Sequence, residues 1–218
     1  MSLSIPTARW ARTMSVAQTL LLAAHVFAAP PARFEGAFAS FSQAAAGDDA
    51  AIEPAATAFA ALRKAEPANP VLMAYEGASI AMKASTTMLP WKKMAHAEDG
   101  LALIEKAVAM LTPAHDAVVQ NGTPGALEVR FVAANTFLAV PGFMNRGARG
   151  VKLLDEVMGS SLFVTAPLAF RGAVWLRAAR LAVKDKRLDD ARRYLNEVVG
   201  ANAPQAQAAR EQLKVLTS

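Results

Sequence analysis

WLRAARLAVKDKRLDDARRYLNEVVGANAP, residues 175–204, is the stretch whose reading decides the fold. Trp175, Ala179 and Ala182 recur at helical spacing before the Asp185-Lys186 pair, and Ala191, Leu195 and Val198 do so after it. Small residues let two helices approach closely, and the large ones fill the space between them. Asp189 and Asp190 stand near the start of the second helix, where its dipole favours negative charge. Pro204 closes the unit. The expectation is a helix, a tight turn and an antiparallel helix. The rest of the chain agrees in kind: alanine dominates, and runs such as Ala55–Ala61 and Ala173–Val183 favour helix. No apolar/polar alternation of strand length occurs. The fold class is therefore all-α.

Working outward, residues 34–69 carry the same plan. Phe34–Ala46 reads as a first helix and Gly47-Asp48 as its turn. Asp49 to Ala65 reads as the second helix, with Ala55, Phe59 and Leu62 on one face, and Glu66-Pro67-Ala68-Asn69-Pro70 ends the pair. Val71–Ser85 then places Met73, Gly77 and Ile80 at first-helix spacing. After the loop Thr86–Pro90, a helix from Trp91 to Leu111 is stopped by Thr112-Pro113. Asn121-Gly122-Thr123-Pro124-Gly125 is a strong loop marker. A third, looser pair follows, Ala126–Val140 and Asn145–Met158, broken by Pro141-Gly142 and stopped by Gly159-Ser160-Ser161. Pro204–Leu216 makes a last, amphipathic helix suited to cap an array. Ala209 on it is expected to tolerate a larger side chain better than Ala179 or Ala191.

The order of large, small and proline positions resembles the tetratricopeptide-like repeat superfamily across about residues 34–216, best in the first and last pairs. The segment Tyr75 to Asn145 is also similar to exported bacterial proteins of that type, a likeness that carries no known activity. The resemblance implies about four helical hairpins and a capping helix, with first helices lining a concave face that holds a protein or peptide. On that face it places Tyr75, Lys83, Trp91, Lys92, Arg130 and Asn135, with Lys93 and Asn145 beside them. Lys83 and Arg130 would meet a carboxylate or peptide terminus, since arginine can engage it bidentately. The structural alternative is that Arg130 pairs with an acid such as Glu128 or Asp99, and that Asn135 caps a backbone group.

The N-terminus points to export. Arg9 and Arg12 precede a mostly apolar run over residues 14–29, which meets Pro30 and Pro31. A basic region, an apolar region and a small-residue end are the parts of a secretory signal. Val26 and Ala28 fit the positions before a cut at Ala29. The reading is thus a signal peptide over residues 1–29 and one domain over 30–218, placed in the periplasm or outside the cell. The run is too short and polar for a comfortable membrane span. A cytoplasmic adaptor with an ordinary first helix stands as the alternative.

Composition narrows the chemistry. The chain has 218 residues, a net charge of +5 and no cysteine, so disulfides, thiolate metal sites and a cysteine nucleophile are excluded. His25, His96 and His115 lack the i, i+4 partners of a helical metal site. Gly77-Ala78-Ser79-Ile80-Ala81 lacks the closing glycine of a serine-hydrolase elbow. Gly142, Gly147 and Gly150 are not spaced as a phosphate loop. No catalytic residue, metal or cofactor is expected, and an all-α enzyme with an unrecognised site is the remaining alternative. Arg177, Arg180 and Lys184 form a basic stripe. Nucleic acid would want more basic residues interleaved with aromatics, so it is not expected as a partner.

Overall fold

The computed structural model describes residues 31–217. The expected signal peptide, residues 1–29, lies outside the described residues. The described chain is all-helical, and its one extended pairing is a bridge between Val118 and Pro124. Ten α-helices follow in order: α1 (Pro31–Ala45), α2 (Ile52–Ala65), α3 (Pro70–Thr86), α4 (Pro90–Ala109), α5 (Gly125–Ala139), α6 (Gly147–Gly159), α7 (Ser161–Thr165), α8 (Leu168–Lys184), α9 (Leu188–Gly200) and α10 (Ala206–Thr217). Short 3-10 turns occupy Asp49–Ala51, Pro113–Asp116 and Gly142–Met144.

Local chemistry sets the boundaries. The Asn69 side chain accepts from the backbone N–H of Val71 and of Leu72, and Pro70 takes the first helical position of α3, where its missing N–H costs nothing. Asp48 caps the turn into α2 by accepting from the N–H of Ala50. The α8–α9 turn needs a left-handed residue, which Lys186 supplies at φ 59°. Two stretches depart from the sequence reading. Asn145 ends a 3-10 turn with φ 56°, so α6 starts at Gly147. Gly159-Ser160-Ser161 is a break and a new start: Ser160 accepts from the N–H of Leu162 and caps α7, whose Phe163 is buried.

Each helix packs on its chain neighbour, forming the pairs α1/α2, α3/α4, α5/α6 and α8/α9, with α10 on α9. Gly77 and Gly100 mark a crossing at backbone contact. A Cβ on Gly77 would stand 2.7 Å from the carbonyl oxygen of Gly100, so α3 and α4 touch backbone to backbone. Between pairs, α3 packs on α2 and α5, and α6 on α8. The first helices run in one direction. Val71 and Tyr75 near the start of α3 lie against Gly125 and Glu128 at the start of α5. Phe131 of α5 meets Phe170 of α8, and the Asn135 carbonyl accepts from Arg177 one step further along. Met82 near the end of α3 packs on Ala44 and Ile52, which flank the α1–α2 turn. The connections inside the four pairs therefore sit at one end of the molecule.

One apolar cluster runs from Phe34 to Ala178 through α1–α8, and a second joins Leu176, Ala179, Leu195, Val198, Ala203 and Ala209 at the C-terminal end. Ala209 is 0% exposed, as are Ala179 and Ala191. The tolerance expected of Ala209 is corrected by that: the inner face of α10 closes the second cluster as tightly as α9 does.

Candidate functional site

The residues that the sequence singled out do not converge on one surface. Tyr75 is 3% exposed and stands among Phe34, Phe38, Phe41 and Phe59. Lys83 reaches back to Glu53 of α2, 2.8 Å away. Arg130 turns to Glu156 of α6 at 3.4 Å, and its guanidinium also donates to the Ala126 carbonyl. Neither Glu128 nor Asp99 is its partner. Asn135 is half-buried, and its backbone carbonyl accepts from Arg177. Trp91, Lys92 and Lys93 are exposed together at the start of α4, and Asn145 is exposed in the α5–α6 connection.

Tyr75 belongs to a buried polar network. Its hydroxyl donates to Glu128, which is 3% exposed, and the Asn121 amide donates to the same carboxylate oxygen at 2.7 Å. Thr123 adds a further hydrogen bond from its side chain. Burial raises the Glu128 carboxyl above its ordinary value, and these three donors oppose that rise. Burial and the Glu128 charge also push the Tyr75 phenol well up. The network ties the loop before α5 to α3 and α5. A comparable bridge joins α2 to α3, where Arg63 donates to both carboxylate oxygens of Glu76. Such groups are satisfied by their partners and fix how the pairs dock.

An open concave feature lies elsewhere. A shallow groove of about 260 Å³ runs between α4 and the α5–α6 connection. Met94, Glu98, Leu101, Ala102 and Glu105 supply its α4 wall, a single face at i, i+4, i+7, i+8 and i+11. Phe143, Met144 and Arg146 supply the opposite wall. Arg146 is held by an ion pair with Glu105, while its Nε–H is buried without an acceptor among the described residues. Glu98 is exposed on the wall. Phe143 is 68% exposed, whereas Leu101 is buried and Met94 and Met144 are half-buried. The groove therefore offers soft apolar contact beside a carboxylate and an immobilised guanidinium.

Trp91 and Lys92, expected on one concave face with Tyr75, Lys83, Arg130 and Asn135, stand at the start of α4 about a turn before Met94 of this groove, and no residue of the groove's own lining was singled out from the sequence. A usable sign was present: Phe143-Met144, two large apolar residues directly after a Pro-Gly break, lie where a loop is ordinarily polar. A second depression of about 270 Å³ is lined by Met158, Phe163, Trp175, Arg193, Tyr194 and Glu197. Arg193 stacks on Tyr194 there at 5.0 Å and pairs with Asp190. Among the described residues no cluster of histidine and carboxylate suited to a metal occurs. No family model matches the chain, and neither does any curated protein or solved structure.

Proposed function

We propose that the protein is an exported helical-repeat module of the tetratricopeptide-like type, which binds a protein or peptide partner in the groove between α4 and the α5–α6 connection. The groove itself carries the reading. Small-molecule sites enclose roughly 300–1,000 Å³ and bury most of their ligand. This groove is smaller and open, and it suits one or two side chains of a larger partner. Methionine and phenylalanine adapt to an apolar anchor, and Glu98 complements a basic residue next to it. Helices packed pair after pair support the repeat reading, and the partner's affinity would come from a few anchors rather than from area.

A photo-cross-linking residue at exposed Ala102 tests this, with exposed Arg180 of α8 as the control position. The expected result is a discrete cross-linked partner in envelope fractions from position 102 alone, lost when Glu98→Lys reverses the charge of the wall. Equal labelling from both positions, or none, refutes the groove. Export is tested separately by N-terminal sequencing of the native protein. A start near Ala29 or Pro30 supports it, and an intact Met1 in a cytoplasmic fraction overturns it.

A further inference from the structure

We infer that the α3–α4 and α5–α6 connections together form a basic, apolar-studded face that rests on an anionic lipid surface. Met88 is 87% exposed and Trp91 66%, and Leu89 between them is exposed too. Lys92 and Lys93 follow directly, both exposed, and neither forms an ion pair among the described residues. Residues 86–97 contain no acid; the first that follow, Glu98 and Asp99, are exposed about two turns into α4. The neighbouring connection repeats the composition. Phe143 is exposed, residues 140–154 contain no acid, and they carry Arg146, Arg149 and Lys152. Arg146 is committed to Glu105 and Lys152 stands 3.9 Å from Glu156, while Arg149 is exposed with its guanidinium over the Phe137 ring. Met94, one turn from Trp91, shares a groove with Phe143 and Met144, so the two connections are neighbours in space.

This combination has a physical logic. A tryptophan with an apolar body and a polar N–H, next to lysines whose stems can lie along apolar surface, matches the boundary between lipid headgroups and acyl chains. Lysines without acidic partners complement anionic headgroups, each contributing through a field that salt screens. No helix among the described residues is long and apolar enough to cross a membrane, and the inferred contact is a peripheral one. Met88, Leu89 and Trp91 stand out from a helix-pair tip, where they can enter a soft headgroup layer. A folded acidic protein would have to supply a matching hollow. The other tips limit the footprint. The α1–α2 turn carries Asp48 and Asp49, and at the α8–α9 turn Arg187 is paired with Asp185 and Asp190. This face shares Phe143 and Arg146 with the groove but rests chiefly on Met88, Leu89, Trp91, Lys92 and Lys93, which lie outside it.

Flotation of the full chain with phosphatidylcholine vesicles, with and without phosphatidylglycerol, tests it. The wild type should float with the anionic vesicles only and be released by high salt. Lys92→Gln with Lys93→Gln should weaken binding about tenfold or more, and Met88→Ser with Trp91→Ser should do the same. Tryptophan emission should shift to the blue on binding, and Trp91→Phe should remove that shift. All four positions are exposed, so unchanged melting temperatures will show intact folding. Failure to float, or binding equal in every variant, overturns the inference, since the second result assigns attachment to another segment. Tip-dependent binding of poly-glutamate without binding to vesicles also overturns it, in favour of an acidic polypeptide.

Discussion

Glu128 shows how much one residue can hold together and how little of that a sequence discloses. Its carboxylate is buried, accepts from Tyr75 and Asn121, and sits above its ordinary pKa because burial outweighs those bonds. An acid raised in the folded state contributes stability that is fully present below its unfolded value, near 4.5, and lost as pH rises through the folded value. Glu128→Gln cannot titrate. The melting temperature of that variant minus that of the wild type should therefore increase as pH rises above about 4.5. A difference that stays flat across that range would show that Glu128 does not titrate differently on folding. Arg130 makes the complementary case. Both it and Glu156 are partly exposed, so Arg130→Ala should cost only about 0.5–1 kcal/mol. A loss of several kcal/mol in a urea melt would contradict that. Sequence reading weighed Glu128 as a partner for Arg130, but residues two apart on a helix point to different sides. The true partner of Glu128, Tyr75, lies 53 residues away, and no local pattern announces such a pairing.

At the scale of helices the sequence was far more informative, because caps and periodicity are local. The ends of α3, α4 and α5 fall within a residue or two of where Asn69-Pro70, Thr112-Pro113 and Pro141-Gly142 placed them. The short α7 escaped, since a capping serine inside Gly159-Ser160-Ser161 reads equally as a stop. What the alternation of small and large residues could not reveal is which small residue is a point of contact. Gly77 and Gly100 are, and Gly36 is not. A Cβ on Gly100 would stand 2.6 Å from the Ala81 backbone nitrogen, whereas one on Gly36 would meet nothing within 4 Å. Gly100→Ala should destabilise by about 1–3 kcal/mol through forced separation of α3 and α4. Gly36→Ala in the exposed part of α1 should stabilise by roughly 0.5–1 kcal/mol through backbone entropy. Urea melts of the two variants moving in the same direction would count against the backbone crossing. By the same reasoning, leucine at Ala179, Ala191 or Ala209 should be comparably harmful, because all three are fully enclosed.

For the whole molecule, the arrangement of helix pairs in chain order has an energetic consequence. Where units touch chiefly their neighbours, stability is close to a sum of unit and interface contributions, and the end of the stack loosens without the middle. The C-terminal end here has its own apolar cluster, closed by Ala209 and the inner face of α10, with Leu213 and Leu216 packed against it. Two polar ties fasten that end: Arg192 donates to the Leu216 carbonyl at 2.8 Å and Gln205 to the Ala169 carbonyl at 2.9 Å. Alignment of the pair connections at one end is likewise a property of how the pairs pack. No reading of single helices could supply it, since residues 86–97 and 140–154 become neighbours only when α3 and α5 run side by side. Deleting residues 204–218 should uncover Leu176, Leu195 and Val198. Amide exchange in α8 and α9 should then accelerate by orders of magnitude, while α3 and α5, held by Glu128 and the central cluster, keep their protection. Equal loss of protection along the whole chain would mean that the pairs fold as one cooperative unit, and the stacked-array account of the stability would fall with that result.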